Sequence, residues 1–148
     1  MAIIRDAVKG DLEPVNHILK TNGQINDVVK SDIKDFVVAE VDSKVVGLGM
    51  LKDHEDYVEI RKVSVLSEYR KRGIGKKIAH TLLGRAEGKK CSLLSVDSHS
   101  FWEQFGFYMV SEKEEPRKIR EQCDCCSQRQ DCNRVVMFRE EVYSGRQS

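Results

Sequence analysis

A chain of 148 residues carries 25 basic against 24 acidic side chains, a formal net charge of +1 and a charged fraction of 33%. That length suits one domain with a single core, and so balanced a charge sets up no overall field for nucleic acid or an anionic membrane; any anion site must be local. No apolar run nears the ~20 residues of a spanning helix, and "MAIIRDAVKGD" meets an arginine and an aspartate too early for a signal peptide, so the expected setting is the cytoplasm, with neither membrane nor nucleic acid as partner.

In chain order, "IIRDAV" reads as an opening strand, and Asp11 is expected to cap a helix whose Leu12, Val15, Ile18 and Leu19 recur at helical spacing. After "TNGQ", Ile25, Val28, Val29, Ile33 and Phe36 continue a similar period and predict a second short helix. "FVVAEVDSKVVGLGML" is two β-rich runs around "DSK", a hairpin, and "YVEIRKVSV" supplies a fourth strand after the acidic turn "DHED". Val58 and Ile60 alternate in one phase of that strand, Val63 and Val65 in the other, and a regular strand puts the two pairs on opposite faces. A bulge near Arg61 and Lys62 restores them to one face and leaves a backbone group unpaired. The other reading has Lys62 facing water on a strand buried on both sides at one end.

Beyond "RKRGIG", Ile74, Ile78, Leu82, Leu83 and Ala86 mark one helical face, with Gly88 as the stop before the strand "KKCSLLSV". A short helix "SHSFWEQF", a strand "GFYMVSE", a Cys-rich excursion at about 113–132 and a last strand "NRVVMFREEV" complete a mixed α/β order with a largely antiparallel front half.

The basic stretch "EYRKRGIGKK" tests three phosphate-binding patterns. The nucleotide P-loop fails because Lys77 follows Gly75-Lys76 and Arg70 stands where its first glycine belongs; the dinucleotide fingerprint fails at Ile78, where its third glycine belongs. What remains is R-x-x-G-x-G on a strand-to-helix connection. There, glycines let backbone N–H groups converge on an oxyanion at the positive end of a helix, a geometry that suits a pyrophosphate. Arg70, Arg72, Lys76 and Lys77 are placed to neutralise it; the plainer readings are a solvated basic surface or a generic nucleic-acid patch.

With its flanks, "VSVLSEYRKRGIGKKIAHTLL" resembles the acetyl-CoA signature V-x-P-x-x-R-x-x-G-x-G of the GNAT N-acetyltransferase superfamily, with Ser67 in place of the common proline. "FWEQFGF" resembles the superfamily's F-Y-x-x-x-G-F segment. The resemblance implies an α+β fold in one domain over residues 1–148: a mixed, mostly antiparallel sheet of six to seven strands with a bulged fourth strand, flanked by about four helices. It implies acetyl-CoA as co-substrate, its pantetheine lined by the backbone of Val63 and Val65, its pyrophosphate cradled by Arg70, Lys71, Arg72, Gly73, Ile74 and Gly75. More narrowly, "VEIRKVSV" and "EEPRKIREQCDCCSQRQDCNRVVMF" resemble the stand-alone acetyltransferase form of bacterial N-acetylglutamate synthases, which carry a similar C-x-x-C-x-x-x-x-x-C insertion, matched by Cys123, Cys126 and Cys132. "GQINDVVKSD" departs from that subgroup's acceptor loop and leaves the acceptor open.

Acetyl transfer from a thioester needs a neutral amine, a donor for the carbonyl oxygen and a route for the thiolate to leave. Glu59 on the fourth strand is the candidate base, directly or through water, and a backbone N–H near Val63 the oxyanion donor. An α-amine at about 7.7–8.0 asks less of that base than a lysine at about 10.4. Arg61 beside the bulge is the candidate partner for an acceptor carboxylate. Where the superfamily has a tyrosine as proton donor, this chain has Trp102, whose indole is no practical acid. Cys123, Cys126 and Cys132 carry two readings, reduced thiols of a small satellite cluster or a structural zinc site whose fourth ligand is Cys91, His80, His99 or water. The leading function is therefore an acetyl-CoA-dependent N-acetyltransferase of a small amine such as the amino acid glutamate, monomeric or homodimeric. Protein N-terminal or lysine acetylation is the runner-up, and a non-catalytic acetyl-CoA-binding or metal- or redox-sensing module the reading from another class.

Overall fold

Ile3–Asp6 form β1, an edge strand whose register pairs Ile3 with Glu40 and Asp6 with Val37 of β2, Phe36–Val41. The structure is a computed structural model that describes residues 2–23, 28, 30–86, 88–95, 98–110 and 135–140. β2 returns as β3, Lys44–Asp53, through a two-residue turn in which Asp42 (φ 50°) and Ser43 (φ 67°) take the left-handed conformations that match the strand twist.

Between β1 and β2, α1 runs over Leu12–Thr21 and buries Val15, Ile18 and Leu19. Its expected cap works differently: the Asp11 side chain bonds no helix N–H. Asp11 instead accepts from Val8 N–H at 2.8 Å and from two Arg5 nitrogens at 2.8 and 3.0 Å, while Arg5 Nε reaches Glu40 at 2.9 Å. A fork of charge-assisted bonds outcompetes a single cap bond. The expected second helix is a 3₁₀ stretch, Lys30–Asp35, and Phe36 already belongs to β2. Fully buried Phe36 is spent on the sheet, so the apolar period spans a turn and a strand.

β4, Val58–Val65, pairs antiparallel with β3 and parallel with β5, Cys91–Ser95. A parallel neighbour requires a crossover, supplied by α2, Ile74–Arg85, which buries Ile74, Ile78, Ala79, Leu82 and Leu83. α2 lies close on β3: a Cβ added to Gly49 meets Ile78 Cγ2 at 2.8 Å and Leu82 Cδ1 at 2.9 Å. After β5 come the short α3, His99–Glu103, then β6, Tyr108–Met109, and β7, Val135–Arg139. Among the described residues the sheet has seven strands in the order β1-β2-β3-β4-β5-β7-β6, antiparallel except at β4–β5, which agrees with the mixed, mostly antiparallel sheet expected. No helix among the described residues is long and apolar enough to cross a membrane.

Candidate active site

β4 and β5 run side by side for three residues, where Val58, Glu59 and Ile60 face Cys91, Ser92 and Leu93; beyond them the strands part. On the other edge Met50 faces Arg61 and Leu48 faces Ser64, so Gly49 stands opposite both Lys62 and Val63. This is the expected bulge, with Lys62 at φ 58°. A bulge bends and twists its strand, and the divergence leaves a cleft of about 760 Å³ between β4, β5 and the start of α2. Val63 and Val65 both pack toward α2, as a Cβ built on Gly49 or Gly47 would find them at 3.3 Å.

α2 begins at one end of that cleft. Its N-cap, Gly73, sits at φ 79° and the helix has no side-chain cap. Lys77 N–H bonds Gly73 O at 3.1 Å, which leaves the first-turn N–H groups of Ile74, Gly75 and Lys76 without an intrahelical acceptor. Together with the helix's roughly half positive charge they suit an anion. A Cβ on Gly75 would meet nothing nearer than Phe101 Cζ at 3.8 Å, so packing does not demand glycine there; the space it leaves belongs to the cleft. The residues present thus fit a pyrophosphate.

The motif's side chains divide. Lys71 lines the cleft at φ 65°. Arg72 lies 5.1 Å over the Tyr69 ring, which it shares with Lys44 at 5.7 Å, and does not line the cleft. Arg70 lines it but donates from Nε to Val65 O at 3.0 Å and from Nη2 to Asn22 Oδ1 at 3.1 Å. Asn22 Nδ2 donates to the same Val65 carbonyl at 3.3 Å. Arg70 therefore braces the loop against β4 and the end of α1, and the Val65 carbonyl already has two donors.

Glu59 is 2% exposed, lies outside the cleft lining and bonds His54 Nε2 at 2.9 Å, with Arg61 Nε 3.8 Å from its second oxygen. Tyr57 stacks on His54 at 4.7 Å, and its buried hydroxyl, like that of Ser92 opposite Glu59, has no hydrogen-bond partner among the described residues. Burial, then the charge of Glu59, pushes the Tyr57 phenol up to about 12. Arg61 and Lys62 do line the cleft. Burial and neighbouring Arg61 push the Lys62 ammonium down against the pull of Asp32, and Lys62 has no ion-pair partner within 4.0 Å among the described residues.

On the opposite wall Trp102 is 5% exposed and packs edge-on against Phe101 at 4.9 Å and Phe107 at 5.6 Å. One turn before it, Ser98 lines the cleft, and its carbonyl accepts from Trp102 N–H at 3.2 Å. The sequence pattern gives no site role to Asn22, His54 or Ser98, and it places Lys62 at the bulge or facing water without making it a ligand-binding residue. The phase break at Lys62 was the available signal; Asn22 is joined to Arg70 across 48 positions by contacts that no local pattern encodes.

Cys123, Cys126 and Cys132, with the whole excursion at 113–132, lie outside the described residues. Of the considered fourth ligands, Cys91 is buried in β5, His80 stands edge-on to Phe105 at 5.1 Å and His99 bonds Ser95. Among the described residues no three His, Cys, Asp or Glu side chains gather as a metal site.

Residues 5–107 match the acetyltransferase (GNAT) family. An uncharacterized N-acetyltransferase of Chlorobaculum tepidum is 28% identical over 111 residues, 72% of this chain and 71% of that protein. The N-acetylglutamate synthase of Neisseria gonorrhoeae, solved with coenzyme A and N-acetyl-glutamate, superposes on 95% of this chain with a TM-score of 0.81 at 22% identity. This chain spans about a third (35%) of that one's length. A Mycobacterium tuberculosis protein solved with CoA superposes with a TM-score of 0.79 at 21% identity, covering 95% of this chain and 99% of that one. The two superpositions establish a common fold.

Proposed function

The chain belongs to the acetyltransferase (GNAT) family, and we propose that it moves acetyl from acetyl-CoA to the α-amine of a small carboxylate-bearing acceptor, an amino acid such as glutamate. One observation carries the reading: β4 and β5 part at a bulge and open a cleft that ends on the uncapped start of α2. The pyrophosphate lies on the N–H groups of Ile74, Gly75 and Lys76, and the pantetheine runs along the β4 edge that β5 has left, past Val65 and Val63. The acyl carbonyl then meets a backbone N–H at the bulge near Val63, where the β3 ladder is broken.

The amine attacks the carbonyl carbon; its nitrogen bonds that carbon, the C–S bond breaks and the electron pair stays on sulfur. The amine's proton leaves to water in the cleft, and Glu59, buried outside the cleft lining beside Arg61 and held in place by His54, is the base to which that water relays it. Lys62 and Arg61 bind the acceptor's carboxylates. A half-buried ammonium with a cationic neighbour and no ion-pair partner among the described residues is the feature of this cleft that favours an anionic acceptor. The gonorrhoeal synthase was solved with N-acetyl-glutamate, which supports glutamate as the first acceptor to test. Trp102 packs among phenylalanines, and the hydroxyl of Ser98 takes the place beside the leaving sulfur.

Thiol release from acetyl-CoA across free amino acids, polyamines and peptides tests the proposal, with the acetylated product identified by mass spectrometry. Turnover with glutamate or another acidic amino acid supports it. Turnover with peptides alone replaces it by protein acetylation, and calorimetric acetyl-CoA binding without turnover replaces it by a non-catalytic module.

A further inference from the structure

We propose that His99, acting through buried Ser95, turns the hydroxyl hydrogen of Ser98 into the cleft and so makes Ser98 a hydrogen-bond donor to the departing CoA sulfur. The inference rests on the acetyl-transfer reading for its purpose, but its geometry stands on three contacts. Ser95, 1% exposed at the end of β5, has its Oγ 2.7 Å from His99 Nδ1 and 3.2 Å from Ser98 Oγ, and Ser98 N–H donates to it at 3.3 Å.

A hydroxyl accepts at two lone pairs and donates once. With a proton on His99 Nδ1, the imidazole and the Ser98 N–H fill both lone pairs of Ser95. Ser95's own hydrogen then has Ser98 Oγ as its remaining partner, and the Ser98 hydrogen is left to the cleft that Ser98 lines. With Nδ1 bare, both hydroxyl hydrogens reverse while the Ser98 N–H stays on Ser95: Ser95 donates to His99, Ser98 donates to Ser95, and the cleft meets a lone pair that repels the negative charge growing on sulfur. The tautomer of His99 thus sets the sign of the group beside the breaking bond. Trp102, buried among aromatic rings one turn on, leaves this place to Ser98.

No proton needs to travel along the chain. The C–N bond forms as the C–S bond breaks, the amine's proton leaves by Glu59 and water, and the thiolate departs with Ser98's hydrogen bond and takes its proton from solvent. A donor aimed at developing charge is worth about 10²-fold in kcat. Ser98 is the catalytic residue here and His99 a positioning residue.

Ser98→Ala, Ser95→Ala and His99→Phe are each expected to lower kcat about 10²-fold with the acetyl-CoA Kd within about twofold. His99→Asn, whose amide nitrogen overlies Nδ1, restores most of kcat, and Ser98→Ala combined with His99→Phe loses no more than Ser98→Ala alone. Nitrogen-15 NMR of the wild-type protein is expected to show the proton of His99 on Nδ1, a measurement that needs neither a variant nor turnover. A bare Nδ1, full kcat in His99→Phe, or additive losses in the double variant overturns the proposal. If wild-type protein turns over no acceptor, the acetyl-transfer reading fails, and the NMR result still decides the hydroxyl's direction.

Discussion

Gly49→Ala tests the link between packing and the cleft. The added Cβ would stand 2.8 Å from Ile78 Cγ2 and 2.9 Å from Leu82 Cδ1, against the ~3.5–4.0 Å at which carbon atoms rest. Both contacts belong to α2, and Val63 Cγ2 at 3.3 Å closes the third side, so the methyl has no rotamer by which to escape. α2 must retreat by roughly 0.7–1 Å, or its side chains must leave their wells, at a cost of about 1–3 kcal/mol. In urea, with a slope of ~1–3 kcal/mol/M, the midpoint falls by about 1 M. The retreat also reaches function: Ile78 lies one turn from Ile74 and Gly75, so the helix start shifts with it. Acetyl-CoA affinity by calorimetry is expected to drop about tenfold, since ~1.4 kcal/mol of misfit suffices. Gly84→Ala is the control. It lies in the same helix with nothing within 4 Å of its Cβ position, and it should raise stability by ~0.5–1 kcal/mol without touching affinity. A Gly49→Ala protein with the wild-type midpoint and affinity would refute the close seating of α2 on β3.

Gly73→Ala forces a side chain into φ 79°, costs ~1–2 kcal/mol and weakens acetyl-CoA binding by calorimetry; equal binding would remove the need for a left-handed N-cap. Lys62→Met should raise the KM of a carboxylate acceptor about 10- to 10²-fold with the acetyl-CoA KM within twofold, and an unchanged acceptor KM would take Lys62 out of the acceptor site. Hydrogen bonds from Arg5 and from Val8 N–H hold the Asp11 carboxyl below the usual carboxylate range, so its contribution is complete above the unfolded pKa of about 3.9 and disappears as pH falls through the depressed folded value. Urea midpoints should accordingly fall in acid for the wild type, while Asp11→Asn starts ~1–3 kcal/mol lower at neutral pH and declines less; parallel curves would contradict the assignment.

The fold was legible where a period or a glycine carried it. The phase break between Ile60 and Val63 marks the place of the bulge, and of its two readings the structure bears out the bulge, because side chains on a strand alternate strictly and the core accepts one face. Gly73 and Gly75 fell on the strand-to-helix connection expected of them. The 3₁₀ stretch Lys30–Asp35 reads as a helix in the sequence because Ile33 and Phe36 fall three apart, a spacing that a turn entering a strand also produces. Asp11 reads as a cap because capping is local, while its real partner, Arg5, comes from a strand whose pairing with β2 brings Glu40 to the same guanidinium. In the site, every expected cleft residue lines the cleft except Glu59, Arg72 and Lys77, whose ammonium donates to the Ala2 carbonyl instead. What composition and spacing could not supply is occupancy: whether a charged side chain is free for a ligand or already spent.

Arg70 makes that distinction concrete. An arginine beside two glycines at a helix start reads as a phosphate ligand, yet its Nε and Nη2 are taken by Val65 O and Asn22 Oδ1. Both acceptors are met from one planar fork, which a lysine's single ammonium cannot copy. The positive potential at the cradle then comes from the uncapped helix start and from Lys71 and Lys76, which line the cleft without such bonds among the described residues. Arg70 instead keeps the end of α1, the last residue of β4 and the glycine loop in one arrangement. Because Val65 pairs with Gly47 on its other edge, the brace reaches β3 as well, next to the glycines on which α2 rests. The cleft is therefore built from groups that neighbouring strands leave unpaired, and its shape is held by side chains whose charge reads as if it were meant for the ligand.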